Sequence, residues 1–205
     1  MSLRTKVIAA LTGATMLGGA ITGVVQHNEG LSLSAYKDSA GIPTICYGET
    51  KGVKMGQRAT LSQCKKQLIE SAGEHAKALD GLPGSLTDVA LLGALDFTYN
   101  VGVAGFNSST VKQRLQVLDY AGAGKAVLSW RYISKYQKTS PGQGWVHKQG
   151  TRWTYDCSQL VNGKPNKVCW GLWERRQWQS KAIGNQYNNV QVAVIALTGK
   201  APGKY

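Results

Sequence analysis

Hydrophobic positions along the chain change rhythm several times, and each change predicts an element. Residues 7–25 (VIAALTGATMLGGAITGVV) form an uninterrupted uncharged run. As a helix this run would span about 28 Å at roughly 1.5 Å per residue, near the hydrocarbon thickness of a bilayer. Between 32 and 56, short apolar runs are mixed with Gly, Ser and Tyr around the turn sequence Ser39-Ala40-Gly41-Ile42-Pro43, which predicts a small hairpin or sheet. Thr60-Leu61-Ser62-Gln63 carries a capping-box signature and predicts a helix to about Leu79. Gly81, Pro83 and Gly84 end it, and Ser85-Leu86-Thr87-Asp88 opens a strongly apolar stretch through Tyr99, the predicted central buried helix. Further helices are predicted at 107–119, 123–135 and 170–183. Residues 137–169, which contain Gly, Pro and Trp, read as a long loop whose length points to function or to stapling. The fold class is α+β, mostly helical, with a small sheet near the N-terminal end.

The first run admits three readings. Arg4 and Lys6 precede it, so positive flanking charge would keep that end in the cytoplasm and export the rest. A cleaved signal peptide needs a shorter apolar core and a small-x-small cleavage site, and none is evident before Gln26-His27-Asn28-Glu29. A buried core helix is the third reading. Four Gly, four Ala and three Thr stand beside only eight large aliphatics. Insertion gains only a few tenths of a kcal/mol per large aliphatic residue, so the segment would be a weak anchor.

Composition narrows the partners. Lys and Arg number 24 against 11 Asp and Glu, a formal charge of +13, which favours polyanions such as nucleic acid, anionic membrane or cell wall. The basic residues are scattered and no nucleic-acid-binding module is present, so no nucleic-acid partner is expected. Cys46, Cys64, Cys157 and Cys169 contain no CxxC pair, which argues against zinc. In an exported chain they would form disulfides. Four cysteines allow three pairings, and short gaps favour Cys46–Cys64 and Cys157–Cys169 because they close cheaply in entropy.

The chemistry lies just past the apolar run. Glu29, Asp38 and Thr44 stand within E-G-L-x-L-x-x-Y-x-D-x-x-G-x-x-T-I-x-Y-G, which resembles the active-site segment of phage-type lysozymes, glycoside hydrolase family 24. Tyr99-Asn100-Val101-Gly102 with Val103-Ala104-Gly105-Phe106 is similar to that family's central-helix exit, and Gly171-Leu172-Trp173-Glu174-Arg175-Arg176 to its late G-L-x-x-R-R helix. The resemblance covers about residues 26–185. With the weak apolar segment ahead of it, the chain resembles the signal-anchor-release subgroup of phage endolysins. This implies a segment 1–26 that anchors and releases, a lysozyme-like catalytic domain over 27–205, and hydrolysis of the β-1,4 bond between N-acetylmuramic acid and N-acetylglucosamine. It further implies a chain exported, tethered to the inner membrane and then released into the periplasm, acting as a monomer on peptidoglycan with no metal or cofactor.

Glycosidic cleavage requires one carboxyl to protonate the leaving oxygen and a second carboxylate to stabilise the cation or activate water. Glu29, where a helix should end, fits the acid, and Asp38, across a hairpin, the second carboxylate. The resemblance gives Thr44 the attacking water, adds Thr50, Tyr99 and Ser109 as substrate contacts, and implies an inverting outcome with carboxyls about 6.5–9.5 Å apart. Singly, Glu29 reads as a solvated cap and Asp38 as an Asx-turn residue; their joint spacing favours catalysis. Arg175 and Arg176 read as structural or cleft-rim charges. Two departures stand out: Cys46 occupies a position often held by Gly, and Glu49 one where His is frequent. A carboxylate at 49 would either act on Glu29 by like-charge repulsion or pair with a Lys. Two rival functions are a lytic transglycosylase, which needs no water, and a membrane-lesion protein acting through its N-terminal segment.

Overall fold

The computed structural model describes residues 1–13, 15–38 and 41–200; Ala14 of the apolar run and Ser39 and Ala40 of the predicted turn lie outside them. The apolar run does not form one straight helix. It is divided between α1 (Leu3–Thr12) and α2 (Met16–Glu29), which are bent by 88° to one another. Local chemistry makes the break: Gly13 caps α1 by donating to the Ala9 carbonyl, and the Thr15 hydroxyl accepts from the Gly18 amide to start α2. Helix α1 buries Leu3, Val7, Ala10 and Leu11, one helical face. Helix α2 buries Leu17, Ala20, Ile21, Val24 and Val25. Where the two meet, a Cβ on Gly18 would lie 2.0 Å from the Ala10 carbonyl oxygen. Only glycine permits that approach.

Gly30, at φ 77°, turns the chain out of α2 into the antiparallel pair β1 (Ser32–Lys37) and β2 (Pro43–Cys46), with Tyr36 opposite Thr44 and an irregular register toward Ser32. Helix α3 (Leu61–His75) starts on the predicted capping box, in which the Thr60 hydroxyl and the Gln63 side chain each bond the other's backbone amide, and a 3-10 turn extends it to Leu79. The central helix α4 (Asp88–Asn107) is broken at Gly102, φ 76°. It is long and apolar enough to cross a membrane, yet 61% of its most apolar stretch is buried inside the protein, so it reads as a core helix. Around it pack α2, α3, α5 (Thr110–Gln116), α7 (Trp170–Ile183) and α8 (Val190–Thr198), while α6 (Tyr120–Val127) packs on α5 and α7. The boundary expected at residue 26 falls inside α2, and the residues before it share one core with the rest.

Two expectations are corrected. The helix expected over 123–135 ends at Val127, with a 3-10 turn to Trp130, and residues 132–136 are strand β3. The loop expected over 137–169 contains four short strands: β4 (Val146–His147) and β5 (Arg152–Asp156) join β3 in the order β3-β5-β4, and β6 (Leu160–Val161) pairs with β7 (Lys164–Pro165). Tyr-Ile-Ser-Lys-Tyr alternates with strand period and finds its partner in residues 152–156. That pairing overrides its weak helical reading. Cys157–Cys169 closes this region and Cys46–Cys64 ties the β1–β2 hairpin to α3.

Candidate active site

Glu29 is the last residue of α2. It lines a cleft of about 360 Å³ together with Tyr47, Glu49, Gln67, His75 and Tyr99. Its Oε1 accepts from Arg175 Nη2 at 3.0 Å, and the same Nη2 donates to Asp96 Oδ1 at 2.8 Å. Asp96, 1% exposed in the middle of α4, is fully engaged. It also accepts from Asn28 Nδ2 at 2.8 Å, Gln179 Nε2 at 2.6 Å and Arg175 Nε at 3.3 Å. Burial opposes the charge on Arg175, but the carboxylates of Asp96 and Glu29 more than offset it and hold the guanidinium above its ordinary range. A buried carboxylate thus locks an arginine whose Nη2, shared between the two acids, fixes the carboxyl of Glu29.

Arg176 has a different task. It donates through Nε to the Trp130 carbonyl at 2.9 Å and through Nη1 to Gln179 at 2.5 Å, bonds Asn100 through Nη2, and stacks over Phe97. Burial, with the neighbouring Arg175 charge, lowers its pKa to about 10, so it stays charged near neutral pH. The paired arginines that read as structural or rim charges therefore divide: Arg175 touches the candidate acid and Arg176 pins α7 to α4.

Across the cleft Tyr99 stacks on His75 with ring centroids 4.0 Å apart. Its buried hydroxyl has no hydrogen-bond partner among the described residues. Burial pushes Tyr99 up to about 12; nearby Ser71 tempers the shift and the Glu29 charge adds to it. Glu49 lines the cleft with its Oε1 tied to the Thr50 and Lys51 amides at 2.9 and 2.7 Å, and no ion pair joins it to a Lys among the described residues. It is held by a tight turn between the Ile45 and Glu49 bridge partners. Cys46 in that turn has φ 57°, a left-handed conformation that glycine adopts without strain, which explains why glycine is frequent there in the lysozymes it resembles.

Asp38 and Thr44 are not among the residues lining this cleft. They meet at Ile42 instead: Asp38 Oδ1 accepts the Ile42 amide at 2.9 Å, and the Thr44 hydroxyl donates to the Ile42 carbonyl at 2.9 Å. In this conformation the Asp38 carboxylate carries the turn. Thr50 is exposed. Ser109 is buried, with its hydroxyl donating to the Phe106 carbonyl at 2.7 Å and accepting the Lys112 amide at 3.1 Å as the cap of α5. A sugar does not reach it here. The cleft thus brings together Glu29 and Tyr99 of the sequence-derived set and adds His75 to its lining, while Arg175 and Asp96 hold Glu29 from behind. The signal for Asp96 was present: a lone carboxylate in the apolar run of α4 is affordable only when paired.

A mostly helical body with a small hairpin, folded about a polar cleft with a carboxyl at a helix end, is the architecture of a lysozyme-type glycoside hydrolase. The chain belongs to the phage lysozyme family, whose profile matches residues 26–179. Among its relatives, the "SAR-endolysin" of Pseudomonas phage phiKMV is 33% identical over 140 residues, 68% of this chain and 86% of that one. The "SAR-endolysin" of Escherichia phage N15 is 32% identical over 193 residues, 88% of this chain and 95% of that one. The solved endolysin from Escherichia coli O157:H7 phage FAHEc1 is similar with a TM-score of 0.60 and 25% identity, over 85% of this chain and 97% of that chain.

Proposed function

We propose that the protein is a phage endolysin that lyses its host as a muramidase, cutting the β-1,4 bond between N-acetylmuramic acid and N-acetylglucosamine. The observation that carries this reading is Glu29 at a helix end, oriented by Arg175 over a polar cleft, in a chain of the phage lysozyme family. Glu29 gives its proton to the glycosidic oxygen, and that bond breaks as the anomeric carbon becomes electron-poor. Water attacks from the opposite face, and its proton passes to Asp38 while Thr44 holds the water. This sequence of events inverts the anomeric configuration. Ile42, bonded to both Asp38 and Thr44, holds these two on one turn. Tyr99 contacts the sugar from across the cleft, Thr50 from its rim, and Ser109 only if α5 opens.

Action in the periplasm follows the exported state that the four-cysteine pairing suits. Residues 1–26 first tether the chain to the inner membrane and are then released, and the monomer folds as described. A packed core offers these residues apolar surroundings equivalent to those of the bilayer, so release does not leave them in water. Leu17, Ile21, Val24 and Val25 are all nearly fully buried. Because α2 ends on Glu29, it cannot lie in the membrane and complete the cleft together.

Digestion of purified sacculi by wild type and Glu29→Gln, with products identified by mass, tests the reading. Hydrolysed strands with reducing muramic ends are expected from wild type alone. Anhydro-muramic ends would make the protein a transglycosylase, and lysis by an undiminished Glu29→Gln would make it a membrane-lesion protein.

A further inference from the structure

The sheet that replaces the predicted loop has no part in the cleft described above. Residues 131–169 carry seven Lys and Arg against a single acid, Asp156. That acid is paired to Arg131 at 3.0 Å. Lys135, Lys138, Lys148, Arg152, Lys164 and Lys167 are all exposed, and none forms an ion pair among the described residues. These six cations, of which Lys135 lies over the Trp145 ring at 5.3 Å, have no acidic partner among the described residues and repel one another. Stapling comes instead from Cys157–Cys169, from Tyr155, 1% exposed, and from Asn166, whose side-chain amide donates to the Cys157 and Gln159 carbonyls at 2.8 and 2.9 Å.

The strand register sorts the side chains. Tyr136 lies opposite Arg152 and Ser134 opposite Thr154, so all four point to one face. With Lys148, Gln149 and Gly150 from the turn before β5, Tyr136, Arg152 and Thr154 line an open groove of about 400 Å³. Tyr136, 71% exposed, is a flat apolar ring with a polar tip and no core to serve. Its neighbours Lys148 and Arg152 are the groove's charges.

We propose that this groove is an accessory binding site for peptidoglycan, distinct from the cleft: Tyr136 stacks on the C–H face of a sugar ring while Arg152 and Lys148 pair with the carboxylates of the attached peptides. The inference rests on the muramidase reading for its ligand. Charge complementarity selects the occupant, since a glycan strand bearing peptide carboxylates offers apolar ring faces and anions side by side, and an arginine fork suits a carboxylate. Position supports it. The unit ends at Cys169, immediately before α7, and Arg175, which fixes Glu29, lies only five residues into that helix past Trp170, about 8 Å at roughly 1.5 Å per residue. The unit that carries the groove is thus joined directly to the helix that positions Glu29. Binding there keeps the enzyme on insoluble wall between cuts.

The test separates binding from cleavage. The full chain carrying Glu29→Gln is compared with the same chain carrying also Tyr136→Ala, Lys148→Gln and Arg152→Gln, for binding to purified protein-free sacculi across a salt series. The groove variant should bind at least tenfold more weakly, a loss of about 1.4 kcal/mol, with a shallower salt dependence. In the chain with Glu29 intact, the three groove changes should slow digestion of sacculi and leave cleavage of short soluble murein fragments within twofold. Unchanged sacculus binding overturns the proposal, as does equal loss on short fragments, which would place the groove in the catalytic machinery. So does tighter binding of a single-stranded RNA oligomer than of sacculi, lost on the same changes. If the triple variant melts early, Lys148→Gln with Arg152→Gln alone must still weaken binding threefold or more. Failure of wild type to cut sacculi would sink the muramidase reading and leave the binding result legible on its own.

Discussion

Arg175 Nη2 lies 3.0 Å from Oε1 of Glu29, although 146 residues separate the two in sequence. The arginine is held from behind by Asp96, so the carboxyl of Glu29 inherits the rigidity of α4 and α7 as well as that of its own helix. Catalytic groups need placement within fractions of an ångström, and such placement comes from the residues that pack and bond them.

Replacing Glu29 by Gln preserves shape and removes the transferable proton. Turnover on sacculi should fall by about 10²–10⁴, the usual worth of a general acid, with the melting temperature unchanged within a few degrees. Retention of a tenth of wild-type activity would show that another group supplies the proton.

Asp96→Ala should cost far more stability than a surface charge. It leaves the buried Arg175 without its principal partner, a loss on the order of 3–5 kcal/mol, measurable by urea unfolding. Arg175→Lys keeps the charge and loses the fork that spans Asp96 and Glu29. Its signature should be a lowered kcat with a smaller change in stability, and equal activity to wild type would deny Arg175 a positioning role.

Tyr99 sets an alkaline limit. Its folded pKa of about 12 lies above the ordinary value of 10.0, so its contribution is fully present below pH 10 and is lost as pH rises toward 12. Across that window the loss approaches about 2–3 kcal/mol at roughly 1.4 kcal/mol per unit. Tyr99→Phe cannot ionise, so its stability should decline less between pH 9 and 11.5. Parallel declines would mean that the hydroxyl is solvated in the folded protein.

The anchor can be strengthened without harming the packed form only at chosen positions. Thr12 is exposed at the end of α1, so Thr12→Leu should retain more protein in the membrane fraction and delay lysis while purified enzyme keeps its activity. Gly18→Leu should also hold the protein in the membrane, but its purified form should be inactive, because a Cβ there meets the Ala10 carbonyl at 2.0 Å. Prompt lysis by Thr12→Leu would favour a cleaved signal peptide.

Cys46 is held at φ 57° within the turn that carries Glu49. Removing the disulfide as Cys46→Gly with Cys64→Ala should be milder than as Cys46→Ser with Cys64→Ala, by about 1 kcal/mol, since glycine carries no left-handed penalty. Equal unfolding free energies for the two pairs would show that the turn relaxes once the bond is gone.

What was legible in the sequence was local. The capping box at Thr60 and Gln63, the glycine-marked ends, the helix over 170–183 and the short-gap cysteine pairs depend on neighbours within a few turns of chain, and the structure has each of them. The joint spacing of Glu29, Asp38 and Thr44 pointed to the hydrolase family for the same reason, as it lies on one helix end and one hairpin. Three things needed the tertiary structure. The partners of Glu29 come from α4 and α7, and nothing in local periodicity pairs residues so far apart. Residues 132–136 became a strand because residues 152–156 were there to bond them, an interaction that outweighs a propensity worth tenths of a kcal/mol. The fate of 7–25 was open because bilayer and protein core reward the same apolar composition. Their difference is shape: a bilayer asks only for length, whereas the core asks for a glycine at 18 where the Ala10 carbonyl comes close.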